Sequence, residues 1–495
     1  TASAPRWVLR RNPGRRKKLK KPPDVNDVPT RSFDSGSFRD RDGRVYLCGD
    51  RVIRGLSEAA LADWRKLEGT KLFRRFTESG RIVATRELSL DEVPLPEEEK
   101  QRWAGFLEHG RVPAVSYAYE WSFSMLREAA VLTLDLLEAA IGEGMTLKDA
   151  TPYNVQFVGG KPVFIDIPSF ETLQAGSTWA GYRQFCEMFL FPLMLQAYKG
   201  IDFQPMMRSR IDGVDLQTMS RLFGLRDRFR KGALSHVWLQ AKLDSKYGST
   251  RRDVKSELKS AGFGKELILA NLRKTRKLVK RLSWDGKGSE WGGYEEFHNY
   301  SESDHALKEA FIDECVRDSG AATVWDIGAN TGQFARIAGQ HARQVLAMDI
   351  DHFAVERMFL HNREEGVDNI LPLVQNVCDP SPNWGWRNSE RRDLASRAKP
   401  DLVLCLALIH HVVITANVPL DEFIEWLASL TDQLVIEYVS RADDKVETLL
   451  RNKEDKYGDY SRENLEKVLG RFYEVRKKQA LESGNRYLYF CVSTG

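Results

Sequence analysis

Apolar residues recur along this chain with two periods, and the change of period divides it. From Ala322 to Ile327 and from Gln344 to Met348 they run almost without interruption, the pattern of strands buried on both faces of a parallel sheet. Leu371–Val374, Asp401–Leu406 and Leu434–Val439 repeat it. Helical spacing comes between: Asp304–Val316, and a helix opened by Pro419 with Phe423, Trp426, Leu427 and Leu430 on one face. Upstream the elements are shorter. Strands are expected at Gly43–Cys48, Arg51–Arg54, Arg81–Thr85 and Pro113–Ala118, and a helix runs from its Ser57 cap to about Phe76. A long helix, Ser124–Glu143, places Leu126, Ala129, Leu132, Leu136, Leu137 and Ala140 on one broad face, and a hairpin turns at Gly159-Gly160. Helical patterns then follow at Tyr182–Gln196, Leu216–Phe223, Ser235–Ala241 and Lys265–Arg281. The expected division is a tail, 1–38, an α+β domain, 39–285, and an α/β domain, 286–495, with the break near Asp285–Gly288.

Charge changes this picture mainly at the amino end. Arg6 to Lys21 is dense in Arg and Lys, and Pro22-Pro23 ends the run. Like charges so close disfavour a compact fold and predict a solvated tail; the sharper reading is an arm for a polyanion. Trp7 is the only ring in that run, so base stacking has little to use. The same two readings apply to the basic cluster at 273–281. Over all 495 residues the net charge is only +4, with 42% apolar and 29% charged residues, the range of soluble globular chains. Six scattered cysteines without a C-x-x-C pair fit the thiols of a reducing compartment. No secretion signal or uncharged apolar run of membrane-spanning length is found, so the expected location is the cytoplasm, with no membrane partner.

The candidate chemistry centres on Asp326-Ile327-Gly328-Ala329-Asn330-Thr331-Gly332, an acid at a strand end followed by a glycine-spaced turn into a helix. Gly328 permits close backbone approach or a positive φ, and Gly332 lets the helix begin near a ligand. A second acid, Asp349, ends the next strand at the spacing that suits ribose hydroxyls, while the nicotinamide signature G-x-G-x-x-G is missing. These residues resemble the first loop of class I S-adenosylmethionine-dependent methyltransferases, over about 286–495. The resemblance implies a Rossmann-like, seven-stranded domain in which Arg471–Val475 and Tyr487–Val492 form the final antiparallel pair. It implies that S-adenosylmethionine is held by the loop of Gly328, Asn330 and Gly332, with Asp326 toward the ammonium and Asp349 on the ribose, a role Asp351 shares. Asp379 matches the adenine position, with Asn376 the weaker choice, and Trp291 and Tyr294 resemble an aromatic lead-in covering the cofactor. His410 and His411 follow the fourth strand, where the ligand crevice of an open parallel sheet lies. His411 is the first choice as general base and His410 the second; positioning or packing is the alternative for both.

The upstream domain carries a second constellation. Asp149 precedes Asn154 by five positions, and Asp166 closes the hairpin. This resembles the catalytic and metal-binding segments of protein-kinase-like phosphotransferases, which implies an acceptor-orienting Asp149 and Mg/ATP held through Asn154 and Asp166. The sequence departs from that pattern: Leu147 stands where histidine is usual, Ile167-Pro168 follows Asp166, and residues 39–112 hold no glycine-rich phosphate loop. A degenerate kinase-like domain is therefore expected, repurposed to grip the methyl acceptor or to act as a scaffold. The expected function is methyl transfer from S-adenosylmethionine to an oxygen, with nitrogen second, of a bulky polar small-molecule or glycan-like acceptor. The competing readings are an RNA or DNA methyltransferase using the basic segments and a bifunctional kinase–methyltransferase. Neither N-P-P-Y nor D-P-P-Y occurs, which counts against base amines as acceptors. The sequence sets no oligomeric state and no resident metal beyond the conditional Mg.

Overall fold

The computed structural model describes residues 33–174, 179–242, 265–286 and 302–494 except 452 and 455. The basic run of the tail, Trp291 and Tyr294 lie outside the described residues. The protein is a mixed α/β chain whose two halves each carry a sheet.

In the first half, β1 (Gly43–Cys48), β2 (Arg51–Leu56), β3 (Thr85–Leu88) and β4 (Gly105–His109) form an antiparallel sheet in the order β1-β2-β4-β3. The helix expected from Ser57 to Phe76 is two helices. Glu58–Glu68 starts on the Ser57 cap and stops at Gly69, and the Thr70 hydroxyl caps Lys71–Glu78 by accepting from the Phe73 amide. Pro113–Ala118 is not a strand, because side chains rather than a neighbouring strand take its backbone groups: Gln156 bonds both the amide and the carbonyl of Ser116. Residues 33–38, placed in the tail by charge and composition, are folded: Asp34 pairs with Arg392 at 2.6 Å and the Ser35 hydroxyl donates to the Ser389 carbonyl.

The long helix is Phe123–Gly142, with Leu126, Ala129, Leu132, Leu136 and Leu137 all fully buried. Short strands β5 (Met145–Leu147) and β8 (Phe170–Thr172) pair with each other, and β6 (Val155–Val158) with β7 (Lys161–Phe164) makes the hairpin. Its two turn residues, Gly159 and Gly160, have φ of 58° and 65°, values that favour glycine. Helix Lys265–Arg281 packs on the long helix, and its Arg273 and Arg276 pair with Glu138 and Asp135 there.

The second half is one seven-stranded sheet. Strands β9 (Thr323–Ile327), β10 (Gln344–Asp349), β11 (Ile370–Val374), β12 (Leu402–Cys405) and β13 (Gln433–Val439) are parallel, and β14 (Tyr473–Ala480) at the edge runs the same way; β15 (Arg486–Ser493), between β13 and β14, is antiparallel to both. The order is β11-β10-β9-β12-β13-β15-β14, so the chain reverses direction across the sheet between β9 and β12. Such a switch opens a crevice at the carboxyl ends of the strands. Helices on both faces cover the sheet, which explains why β12 is buried at every position.

One of the contacts between the halves is made by a helix of the second, His352–Glu364. It caps the long helix of the first, whose own Ser122 makes no side-chain cap bond. The Glu356 carboxylate accepts from the Ser124 amide at 2.9 Å and His352 Nε2 from the Phe123 amide at 3.0 Å. Orphan amides at a helix start need such acceptors, and here they come from far along the chain. All six cysteines are unpaired, with Cys186, Cys315, Cys405 and Cys491 buried. No helix among the described residues is long and apolar enough to cross a membrane.

Candidate functional site

A cavity of about 480 Å³ lies at the carboxyl ends of β9, β10, β11 and β12. Gly328, Ala329 and Asn330 form its floor, with φ of +78° at Gly328, where a Cβ would stand 3.2 Å from Leu408. Asn330 also has a positive φ, 51°, a conformation that asparagine tolerates better than most residues. Gly332 (φ +83°) does not line the cavity; a Cβ there would meet the Met358 sulfur at 2.7 Å, so this glycine serves close packing of the following helix.

Asp349 is the best-prepared group in the cavity wall. One carboxylate oxygen accepts from the Asn330 amide and the other from the Asp351 amide, both at 2.8 Å. These bonds fix the plane of the carboxylate. Burial raises its pKa above the usual carboxylate range, against the pull of the Asp351, Asn330 and Ile350 amides. Asp351 also lines the cavity, but one of its oxygens caps helix His352–Glu364 through the Phe353 and Ala354 amides. Asn376 lines the wall too, its side-chain oxygen accepting from the Cys378 amide. The structure turns Asp379 away: its carboxylate is 71% exposed and forks onto Arg208, outside the cavity. The wall near β11 is made by Gln375, Asn376, Val377 and Cys378 instead.

Asp326 lies beneath the loop, 1% exposed, with Oδ2 lacking any hydrogen-bond partner. Burial first, and the Asp349 charge after it, push it up to about 7, opposed by the Lys308 ammonium. His410 and His411 both reach the cavity, their rings 4.2 Å apart. Burial is the main cause that holds both imidazoles below 6.5, more strongly at His410, whose Nδ1 is buried without a partner.

One cluster beside the histidines escaped sequence reasoning. Glu437 on β13, fully buried, accepts from Lys308 Nζ at 2.6 Å and from Arg486 at 3.2 Å, and Arg486 also pairs with Asp443. Lys308 and Arg486 line the cavity. The position of Glu437 near a strand end was the only local signal. Its partners come from a helix 129 residues earlier and a strand 49 residues later.

The residues fit S-adenosylmethionine as the resemblance implies it: an oriented carboxylate for a diol, an unpartnered buried carboxylate oxygen, and a glycine-floored approach. The second constellation does not fit a metal-bound nucleotide. Asp149, Asn154 and Asp166 do converge, with Asn154 donating to Asp149 at 2.8 Å. However, the Arg54 guanidinium, on β2, holds one oxygen of Asp166 at 2.6 Å and so competes with a divalent cation for that carboxylate. Nor is the segment between β4 and the long helix open to a base. Arg397 takes the Val115 carbonyl at 2.5 Å, and the Tyr117 amide donates to Glu120.

No protein-family profile matches the chain. Among solved structures, the N-methyltransferase NodS from Bradyrhizobium japonicum WM9 is similar over 39% of this chain and 99% of its own, at 11% identity and a TM-score of 0.30. Magnesium protoporphyrin IX methyltransferase (ChlM) from Synechocystis PCC 6803 is similar over 40% of this chain and 90% of its own, at 15% identity and a TM-score of 0.28. The nodulation protein NoeA of Rhizobium meliloti (strain 1021) is different in kind: it is 32% identical over 457 residues, 92% of this chain and 95% of the relative. A match of that extent takes in both halves, and the chain belongs to the family of nodulation protein NoeA.

Proposed function

We propose that the chain transfers a methyl group from S-adenosylmethionine to an oxygen of a bulky polar metabolite or glycan-like acceptor. The observation that carries this reading is Asp349, fixed by the Asn330 and Asp351 amides at the mouth of the switch-point cavity. A carboxylate so held accepts both hydroxyls of a ribose without reorganising. Asp326 places a buried carboxyl with an unpartnered oxygen beneath the loop, and the positive charge of the cofactor's ammonium would favour its ionised form. The strand order, with the last strand inserted antiparallel beside β13, also supports the reading.

When bound, S-adenosylmethionine supplies an electrophilic methyl on a positively charged sulfur. The protein's part is to bind, to orient and to take a proton. As the acceptor oxygen gains the methyl it loses its hydrogen, and His411, or His410 beside it, accepts that proton on a ring nitrogen. Both are neutral at pH 7, the form a base requires, because burial lowers their pKa. A nucleic-acid acceptor draws less support, since Arg273 and Arg276 are already paired with the long helix. Phosphotransfer is set aside because Arg54 holds Asp166.

Calorimetry with S-adenosylmethionine tests the assignment. Asp349→Ala should cost about 1.5–3 kcal/mol of binding, the range for charge-assisted hydrogen bonds. Equal affinity in the variant would overturn the ribose role. Incubation of methyl-labelled cofactor with cell extract, then separated into small-molecule, protein and nucleic-acid fractions, identifies the acceptor class. Label confined to RNA or DNA would overturn the metabolite reading.

A further inference from the structure

The cleft that does not fit a metal-bound nucleotide is nevertheless a cavity, and a large one. It measures about 830 Å³, within the ~300–1,000 Å³ of small-molecule sites. Both halves build it: Arg54, His109 and Asp166 come from the first, and the stretch Glu390–Arg397 from the second. That stretch is firmly placed. Glu390 takes both arms of Arg39, Arg392 holds Asp34, and Arg397 with Glu120 is almost wholly buried.

Acidic and basic side chains line this cleft in nearly equal number and are largely paired with each other. Such pairing cancels the net field that would draw in a phosphate or an amine, so neither an anion nor a cation is favoured. It does not exhaust hydrogen bonding, because a carboxylate has about four acceptor sites and a guanidinium five donors. Some of that capacity is buried and unused. His109 is 7% exposed; its Nδ1 meets the Thr85 hydroxyl, while its Nε2 has no partner. Arg54 Nε and Arg391 Nε are likewise buried without partners. Buried polar groups are seldom left so unless something else satisfies them. The Arg391 and Arg397 guanidiniums lie over the Tyr153 and Tyr117 rings, at 3.9 and 4.5 Å, so these rings brace the arginines that line the cleft.

We infer that this interdomain cleft binds an uncharged, polyhydroxylated ligand of the carbohydrate class, and binds it without a divalent metal. Carboxylates and guanidiniums side by side match hydroxyls that both donate and accept. The site is distinct from the cavity assigned to S-adenosylmethionine, so the inference stands apart from the methyl-transfer reading.

The test is calorimetry on the full chain with maltotetraose, cellotetraose, chitotetraose and ATP, each with magnesium and again with EDTA. At least one tetrasaccharide should bind with the same affinity in both buffers, and ATP should not bind. His109→Phe should weaken that tetrasaccharide by about tenfold or more, as for loss of a buried hydrogen bond, and leave S-adenosylmethionine affinity unchanged. If His109→Phe melts early, the near-isosteric Asp149→Asn takes its place, with the same expected loss. Absence of binding by all three tetrasaccharides would overturn the inference. So would magnesium-dependent ATP binding, or full tetrasaccharide affinity in the folded variant.

Discussion

Asp326→Asn is expected to stabilise the cofactor-free protein and to weaken its hold on S-adenosylmethionine. The wild-type carboxyl is 1% exposed, and its Oδ2 lacks a partner. Burial lifts its pKa from 3.8 to about 7 even with the Lys308 ammonium opposing. A carboxyl raised on folding contributes stability that is complete below 3.8 and is lost as pH rises through about 7. Fully developed, the loss is of the order of 4 kcal/mol, and at pH 5 it is only about 2 kcal/mol. Asparagine has nearly the same shape, cannot ionise, and keeps an oxygen to accept the Ala335 amide that bonds Asp326. Urea unfolding of both proteins, without cofactor, should therefore show the variant's advantage widening by roughly 3 kcal/mol from pH 5 to pH 8. Calorimetry at pH 8 should show weaker cofactor binding by the variant, because the negative group beneath the loop is gone. A stability gap that stays flat with pH would refute the assignment of Asp326 as a buried, strained carboxylate.

Two further outcomes follow from buried groups. Because burial lowers the His411 pKa, the ascending limb of single-turnover methyl transfer should lie below pH 6.5 in wild type. In His411→Ala the limb should vanish and the rate fall by ~10²–10⁴-fold with cofactor affinity nearly constant; a retained limb would pass the role to His410. Arg397→Ala strands the fully buried Glu120 and should destabilise the protein by about 3–5 kcal/mol in urea unfolding, whereas Arg65→Ala, at the exposed Arg65–Glu87 pair, should leave the unfolding midpoint nearly unchanged. Equal losses at the two sites would contradict the burial of the first.

The parts of this protein that the sequence determined are those written in local period and local chemistry. The buried run into Gly328, the acid at the end of β10, and the hairpin turn at Gly159-Gly160 each depend on neighbours a few positions away. Short-range sterics therefore constrain them before any tertiary contact forms. Hydrophobic spacing also marked the long helix, since its broad apolar face needs a core whatever lies opposite. What sequence spacing left undecided were directions and partners. Asp379 carries a plausible acid to the end of the third strand, yet Arg208, 171 residues away, draws its side chain out of the cavity. Pro113–Ala118 is apolar enough for a strand, but Gln156 and Arg397 occupy its backbone groups. Glu437 acquires its meaning only when Lys308 and Arg486 fold against it, and Arg54 pairs with Asp166 only because folding brings β2 against the end of the hairpin. A helix cap supplied by Glu356, 232 residues from the amide it accepts, belongs to the same class. Local periodicity sets where a side chain stands on its own element; only the packed structure sets which distant charge or amide it faces, because those pairings form when the elements that carry them meet.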